Sequence, residues 1–222
     1  MAKEVFFARE YSVNPLNAIK SVSRRNVQTE HLDETYSPSK VRQYLFELGF
    51  NERQVEGISK ALVEYTTLDE VTERLYYQHK DIGLELARIS TLMDVFTDKA
   101  PKWHGGTTYR GVPIASKEAL KIFKKGSVID TELVSGHSWT TERRVAEGYG
   151  EFETVGHKGV ATILVCEGPQ HSGTSIRHLS RHWGEHEVYV ASGAKHVVTK
   201  VEQIPTKSGI GKTTIVYVKS VK

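Results

Sequence analysis

The spacing of apolar residues changes at Pro101, and this change constrains the fold more than any other feature of the chain. Before it, apolar side chains recur every three or four residues, as on one face of a helix, within 41–48, 55–65 and 82–96. After it, short apolar runs alternate with glycine-rich turns, which is typical of strands. The sequence therefore predicts an α+β protein in which a helical region packs on a mostly antiparallel sheet.

The same change divides the chain into three segments. Residues 1–36 mix polar and apolar side chains without a clear period, and we expect them to form a lead-in segment. Residues 37–100 are expected to form helices, with Ser37 and Asn51 as capping residues. Residues 101–222 are expected to form the β core, packed with the helices as one compact domain.

Within the β core, apolar runs bounded by Gly or Pro mark the expected strands. These are Thr107–Arg110, Ser127–Val134, Gly159–Cys166, Val188–Ala191, His196–Val201 and Thr213–Val221. One short helix is predicted from Ser116 to Lys125. A second one, capped by Thr141, is predicted to end at about Gly148. The segment 208–213 resembles the tail of a phosphate-binding loop, but it lacks the first glycine and precedes a strand, so a hairpin turn is predicted.

Composition excludes some classes of function. The chain has 222 residues, 38% hydrophobic and 26% charged, which is typical of a soluble globular protein. A net charge of +3 is too small for a dedicated nucleic-acid binder, and no apolar run approaches the roughly 20 residues of a membrane span. The single cysteine, Cys166, cannot form an intrachain disulfide, which suits a reducing cytosol, so we expect a cytoplasmic protein without membrane partners.

Three histidines have the spacing of metal ligands. His178, His182 and His186 stand four residues apart, and on one helix they could gather a zinc ion. Gly184 interrupts such a helix, and the following residues have the pattern of a strand. We therefore expect surface histidines and no metal.

Two carboxylates stand one residue apart at the start of an expected strand. In an extended chain Glu185 and Glu187 project to one face, while Val188 and Val190 face the other side. Two acids on one face repel each other. The pair alone fits either a solvated strand edge or a functional site.

Two further segments carry polar groups suited to a ligand. Arg110 offers a planar fork of donors that matches a phosphate, and Gly111 lets a ligand approach the backbone. Ser138 and Thr140 place two hydroxyls on one face of a strand end, with Trp139 on the other. Each also has an ordinary explanation, as a surface arginine or as hydroxyls that bond the backbone.

Together, the three segments occur in one order: Tyr109-Arg110-Gly111, Ser138-Trp139-Thr140 and Glu185-His186-Glu187. This order resembles the arginine–serine–glutamate class of mono-ADP-ribosyltransferases, although the middle motif of that class is often Ser-Thr-Ser. The size and the helical front half look most like the small ADP-ribosyltransferases of T-even-type phages. The resemblance covers residues 103–221 and implies a split antiparallel β-sandwich core.

The resemblance also implies a donor site for NAD, used as a substrate. Glu187 would hydrogen-bond the ribose and stabilise the cation that forms as nicotinamide leaves, as in glycoside cleavage. Ser138 would hold Glu187 in place, and Thr140 would complete the motif. Arg110 would grip the NAD phosphates, and the backbone of Gly111 could meet the nicotinamide amide.

An acceptor site is implied beside the donor site. Glu185 would orient and deprotonate an arginine side chain, because members that modify other residues often carry Gln there. His182 and Trp183 lie in the loop that would recognise the target protein. The expected partners are host proteins of the gene-expression or translation machinery in the host cytoplasm. NAD-capped RNA as donor, an NAD glycohydrolase and a binding module without activity are the alternatives.

Overall fold

A computed structural model of the chain describes residues 37–67, 71, 74, 77–78, 81–112, 114, 116–130, 137–150, 162–180, 183–205 and 212–221. The helices are α1 (Pro38–Glu47), α2 (Glu52–Thr66), α3 (Ile82–Lys99), α4 (Ser116–Ile122) and α5 (Arg143–Gly150). The strands are β1 (Thr108–Val112), β2 (Val128–Asp130), β3 (His137–Thr140), β4 (Thr162–Cys166), β5 (Gly173–Ser175), β6 (Glu187–Val190), β7 (Lys195–Pro205) and β8 (Lys212–Val221). The predicted α+β class is confirmed, and the predicted lead-in segment 1–36 lies outside the described residues.

The strands form a sheet that is nearly divided in two. Their order is β2-β7-β8-β4-β1-β3-β6-β5, with β4 and β8 parallel and the other described pairs antiparallel. In the described part of the chain, β1 and β3 are joined by one residue pair, Tyr109 opposite Thr140. Trp139 and Val188 from the smaller part share a buried core with Leu164 from the larger part. This arrangement confirms the predicted split β-sandwich.

The helical region covers the other face of the smaller part of the sheet. Side chains of all three long helices form a buried cluster with Tyr189 of β6. The carboxylate of Asp94 on α3 accepts the Tyr189 hydroxyl at 2.8 Å and the backbone N–H of Ser192 at 3.1 Å. Strand β6 is therefore buried on both faces, with Val188 and Val190 in one core and Tyr189 in the other.

Local sequence accounts for where the long helices begin. The side chain of Asn51 accepts the backbone N–H of Gln54, and the Gln54 side chain accepts that of Asn51, which confirms the predicted cap of α2. Ser37 holds the predicted cap position of α1, but its hydroxyl bonds Ser39 at 2.7 Å and not the helix backbone. Asp81 caps α3 by accepting the N–H of Leu84.

Two predicted boundaries in the β core are wrong. Helix α5 begins at Arg143, two residues after the predicted cap Thr141, and the carbonyl of Glu142 accepts the first helical N–H groups, from Val145 and Ala146. Strand β1 does not end at Gly111, since this glycine pairs with Ile163 of β4. The length of β1 comes from pairing with a distant strand, which local residue type does not encode.

The remaining predicted strands agree in position and differ in length. Strand β7 runs from Lys195 to Pro205, with a bulge between Val198 and Lys200, and pairs with β8 as a hairpin. The predicted strand residues 131–134 and 159–161 lie outside the described residues, as do residues 208–211 of the predicted turn 208–213. Among the helices that the structure describes, none combines the length and apolarity needed to cross a membrane.

Candidate active site

The three sequence motifs meet in one cleft of about 270 Å³. Arg110 comes from β1, Ser138 from β3 and Glu187 from β6, and these strands are neighbours in the sheet. Three other residues predicted for the site, Gly111, Thr140 and Glu185, line the same cleft. The structure therefore brings together six of the eight residues that the sequence predicts for this site.

Glu187 is the buried carboxylate of the cleft, with 5% of its surface exposed. Its pKa is raised from 4.5 to about 7, chiefly because the carboxylate is buried. A hydrogen bond donated by Ser138 opposes the rise, the nearby charge of Glu185 adds to it, and a hydrogen bond donated by Tyr65 also opposes it. Above that pH the side chain is a buried anion held by two hydroxyls. Such an anion can stabilise a developing positive charge without reorganising.

Tyr65 is a site residue that the sequence pattern did not reveal, because its position belongs to the apolar stripe of α2. Its ring packs edge-on against Tyr189 with 5.1 Å between centroids, and it lines the cleft. Burial, followed by the nearby charge of Glu187, raises the Tyr65 pKa well above its usual range. The hydroxyl therefore stays protonated and donates to Glu187, so the helical region supplies part of the cleft.

The resemblance implies cleavage of NAD in this cleft, and for that reaction we expect Tyr65→Phe to move the acid limb of the kcat/KM profile to higher pH. The hydroxyl lowers the pKa of Glu187, so its loss raises that pKa further and less of the carboxylate is ionised near neutrality. One lost hydrogen bond corresponds to a shift of about 0.5 to 1 pH unit. Initial rates between about pH 5.5 and 9, on either side of that pKa, measure the shift. A shift to lower pH contradicts the assignment.

Glu185 reaches the cleft through a bend and not through an extended strand. It ends the short 3₁₀ turn Trp183–Glu185, and strand β6 begins only at Glu187. His186 between them has a φ of 47°, in the left-handed region that residues other than glycine adopt rarely. The predicted extended geometry is therefore wrong at Glu185, although both carboxylates line one cleft as predicted.

The bend is held by the last residue of β3 and the two residues that follow it. The Thr140 hydroxyl donates to the backbone carbonyl of Glu185 at 2.6 Å, and the Thr141 N–H donates to the carbonyl of His186 at 3.2 Å. Nδ1 of His186 lies 3.2 Å from a carboxylate oxygen of Glu142. Thr140 therefore joins the serine motif to the glutamate motif.

The Glu185 side chain has its own partner. Tyr149, near the end of α5, donates its hydroxyl to Oε1 of Glu185 at 3.0 Å and lines the cleft. Residue type and spacing did not single out this tyrosine. Each of the two acids thus has a tyrosine from a different helix as a hydrogen-bond partner.

Arg110 joins the two parts of the sheet at their narrow connection. Its Nη1 donates to the backbone carbonyl of Ser138 at 3.1 Å. The guanidinium is therefore held at the cleft wall next to the serine motif. A fixed planar cation at this place suits a phosphate group of a ligand.

Two histidines near Arg110 remain neutral. Burial lowers the pKa of His196 to about 4 and the pKa of His137 well below its usual range, and the charge of Arg110 adds a smaller effect in the same direction. His196 stacks on Trp139 with 5.1 Å between centroids and lies 2.8 Å from Oε1 of Gln170, which accepts its hydrogen. At neutral pH these two imidazoles add no positive charge to that of Arg110.

Comparison with solved structures identifies the fold. The Vis toxin, an ADP-ribosyltransferase from Vibrio splendidus, resembles the chain with a TM-score of 0.55 and 18% identity over 92% of this chain and 91% of that chain. The type III effector XopAI from Xanthomonas axonopodis pv. citri gives a TM-score of 0.51 at 15% identity, over 83% and 76% of the two chains. An ADP-ribosyltransferase from Clostridium botulinum gives 0.50 at 12% identity, over 83% and 94%.

The chain has the ADP-ribosyltransferase fold. No protein-family model and no curated protein sequence matches it.

Within this ADP-ribosyltransferase fold, the predicted target-recognition residues are only partly described. His182 lies outside the described residues, and Trp183 is placed by its backbone at the start of the 3₁₀ turn that ends at Glu185. Their contact with an acceptor therefore stays a prediction.

The histidine spacing does not build a metal site in the described part of the chain. His178 is exposed in a turn, and His186 follows the 3₁₀ turn, so the two do not share a helix. The residues whose positions are described contain no group of three His, Cys, Asp or Glu side chains placed to hold a metal ion.

We expect Glu187→Gln to stabilise the protein at high pH. The pKa of Glu187 is raised from 4.5 to about 7. The free energy of unfolding of the natural protein therefore falls by about 3 kcal/mol as pH rises from below the unfolded pKa to above the folded one. The variant avoids this loss, so its Tm should exceed that of the natural protein by roughly 6 to 12 °C at about pH 8.5 and by far less at about pH 5. Thermal unfolding at both pH values tests this, and an equal difference at both contradicts it.

Proposed function

We propose that the protein is a mono-ADP-ribosyltransferase that transfers ADP-ribose from NAD to arginine side chains and releases nicotinamide. The observation that carries the proposal is the convergence of Arg110, Glu185 and Glu187 on one cleft. The cleft combines a fixed cation, a buried anion and a second carboxylate, which are the groups that this reaction requires.

The first half of the reaction breaks the bond between nicotinamide and ribose. Positive charge develops on the ribose carbon as nicotinamide leaves with the bonding electrons, as in glycoside cleavage. Glu187, held by the hydroxyls of Ser138 and Tyr65, supplies the opposing charge. Arg110 fits the pyrophosphate of NAD, and Gly111 and Thr140 line the same donor site.

The second half of the reaction forms a bond from a guanidinium nitrogen to the ribose carbon. A guanidinium is protonated at neutral pH and must lose a proton to act as a nucleophile. Glu185, in the same cleft as Glu187, is the group that accepts this proton. The solved complex of Vis with agmatine supports this choice of acceptor, because agmatine carries the same guanidinium group as arginine.

The resemblance to phage enzymes suggests where the protein acts and on which targets. We propose that the protein acts in the cytoplasm of a bacterial host, on host proteins of gene expression or translation. His182 and Trp183 are the residues proposed to contact the acceptor protein. NAD-capped RNA is a further proposed donor, since it presents the same nicotinamide–ribose bond.

Incubation with adenylate-labelled NAD and a bacterial lysate tests the proposal, with the Glu187→Gln variant as control. Label on lysate proteins, located on arginine by mass spectrometry, is the expected result. Free ADP-ribose without labelled protein would instead indicate an NAD glycohydrolase. If neither product forms, the protein is a binding module without activity.

A further inference from the structure

The two acids of the cleft are held by two tyrosines from different helices. Tyr65 of α2 donates to Glu187, and Tyr149 of α5 donates to Oε1 of Glu185 at 3.0 Å. If the two glutamates have different roles, the two hydroxyls act on different steps of the reaction.

The backbone of Glu185 is fixed, but its side chain still has rotatable bonds. The Thr140 hydroxyl holds its carbonyl at 2.6 Å, which leaves the carboxylate to be placed by contacts of its own. Ordering a glutamate side chain costs on the order of 1.5 kcal/mol of rotamer freedom. The Tyr149 hydroxyl is a contact that orders it, and a carboxylate retains further lone pairs to accept a proton.

The helix that carries Tyr149 is anchored to the sheet. Ala146, three residues earlier on α5, lies in a buried cluster with Ile163 and Val165 of β4 and with Ile215 of β8. The tyrosine hydroxyl is therefore presented from a packed element and not from a free loop. A carboxylate bonded to such a group is held near one orientation.

We propose that Tyr149 is a positioning residue for Glu185 and thereby a determinant of transfer to the guanidinium acceptor. This inference rests on the proposed function. Tyr149 acts through Glu185, which takes the proton from the guanidinium as its nitrogen bonds to the ribose carbon that nicotinamide has left. Water as acceptor does not present a guanidinium proton, so NAD cleavage to water depends less on Tyr149.

Tyr149→Phe tests the proposal, with Tyr65→Phe as the matched control because both variants remove one hydroxyl from a tyrosine of the cleft. We expect Tyr149→Phe to lower kcat for transfer to an arginine-containing peptide about 10-fold and cleavage to water less than about threefold. Tyr65→Phe should lower both activities by similar factors, because Glu187 serves both. Equal losses of both activities in Tyr149→Phe, or no loss of transfer, would overturn the proposal.

A double variant separates positioning from a folding defect. If Tyr149 acts through Glu185, adding Tyr149→Phe to Glu185→Gln causes no further loss of transfer. A further loss of about the same factor as in the single variant would overturn the proposal. Absence of arginine transfer by the natural protein itself would instead refute the proposed function, so the two failures are distinguishable.

Discussion

Replacing Glu187 with glutamine is expected to lower both arginine transfer and NAD cleavage to water about 1,000-fold. In the proposed reaction both activities pass through the same positive charge on the ribose, and this variant removes the buried anion that opposes it. The amide keeps the size of the side chain that Ser138 and Tyr65 contact. The loss should therefore come from charge and not from a collapsed cleft.

Release of nicotinamide and formation of ADP-ribosylated peptide, measured in parallel, check this result. Glu118→Gln is the control, since it makes the same change at an exposed residue of α4 that pairs with Lys121. Its rates should match those of the natural protein. Residual turnover of Glu187→Gln within about 10-fold of normal would remove Glu187 from the role we assign.

The second large effect is expected for Glu185→Gln, which should separate the two activities. Transfer to arginine should fall about 100-fold or more, because the amide cannot accept the guanidinium proton. Cleavage of NAD to water should persist, reduced by a much smaller factor, since Glu187 remains in place. The variant should thus shift the products from ADP-ribosylated arginine towards free ADP-ribose.

The ratio of ADP-ribosylated peptide to free ADP-ribose measures this separation directly. For the natural protein the ratio should rise with peptide concentration, and for Glu185→Gln it should stay near zero. Equal losses of both products would show that the two acids do not divide the work. In that case Glu185 would serve the donor step as well.

The sequence predicted the convergence of the motifs through their order, which resembles the arginine–serine–glutamate class, and the strand pattern agreed with it. The alternation of Val188 and Val190 with Glu187 fixed which face of β6 is polar, and the structure places those valines in a core and Glu187 in the cleft. In the same way, Trp139 lies in that core, and its chain neighbours Ser138 and Thr140 line the cleft. In these segments a period of two residues is enough to assign the faces.

Other parts of the cleft depend on contacts between distant segments. Tyr65 falls within the apolar period of a helix, so its hydroxyl is invisible to a pattern that treats tyrosine as apolar. The left-handed backbone of His186 is imposed by the segment 140–142, and no glycine marks it. Tyr149 finds its partner 36 residues away in the chain. Residue type and spacing do not encode such tertiary contacts.

The helical region supports the strand that carries Glu187. Asp94 anchors α3 to β6 through the hydroxyl of Tyr189, and Tyr189 in turn packs against Tyr65. The helices thus cover the strand that carries Glu187 and deliver a hydroxyl to it. A region that matched the family only in being helical contributes directly to the proposed donor site.

Release of nicotinamide from NAD by the purified natural protein, followed with and without an arginine-containing peptide, is the most direct measurement of the central claim. We expect release by the natural protein that the peptide accelerates, with ADP-ribose recovered on the guanidinium, and almost none by Glu187→Gln. Equal release by both proteins, or none by either, would contradict the claim that a fixed carboxylate in this cleft drives the departure of nicotinamide.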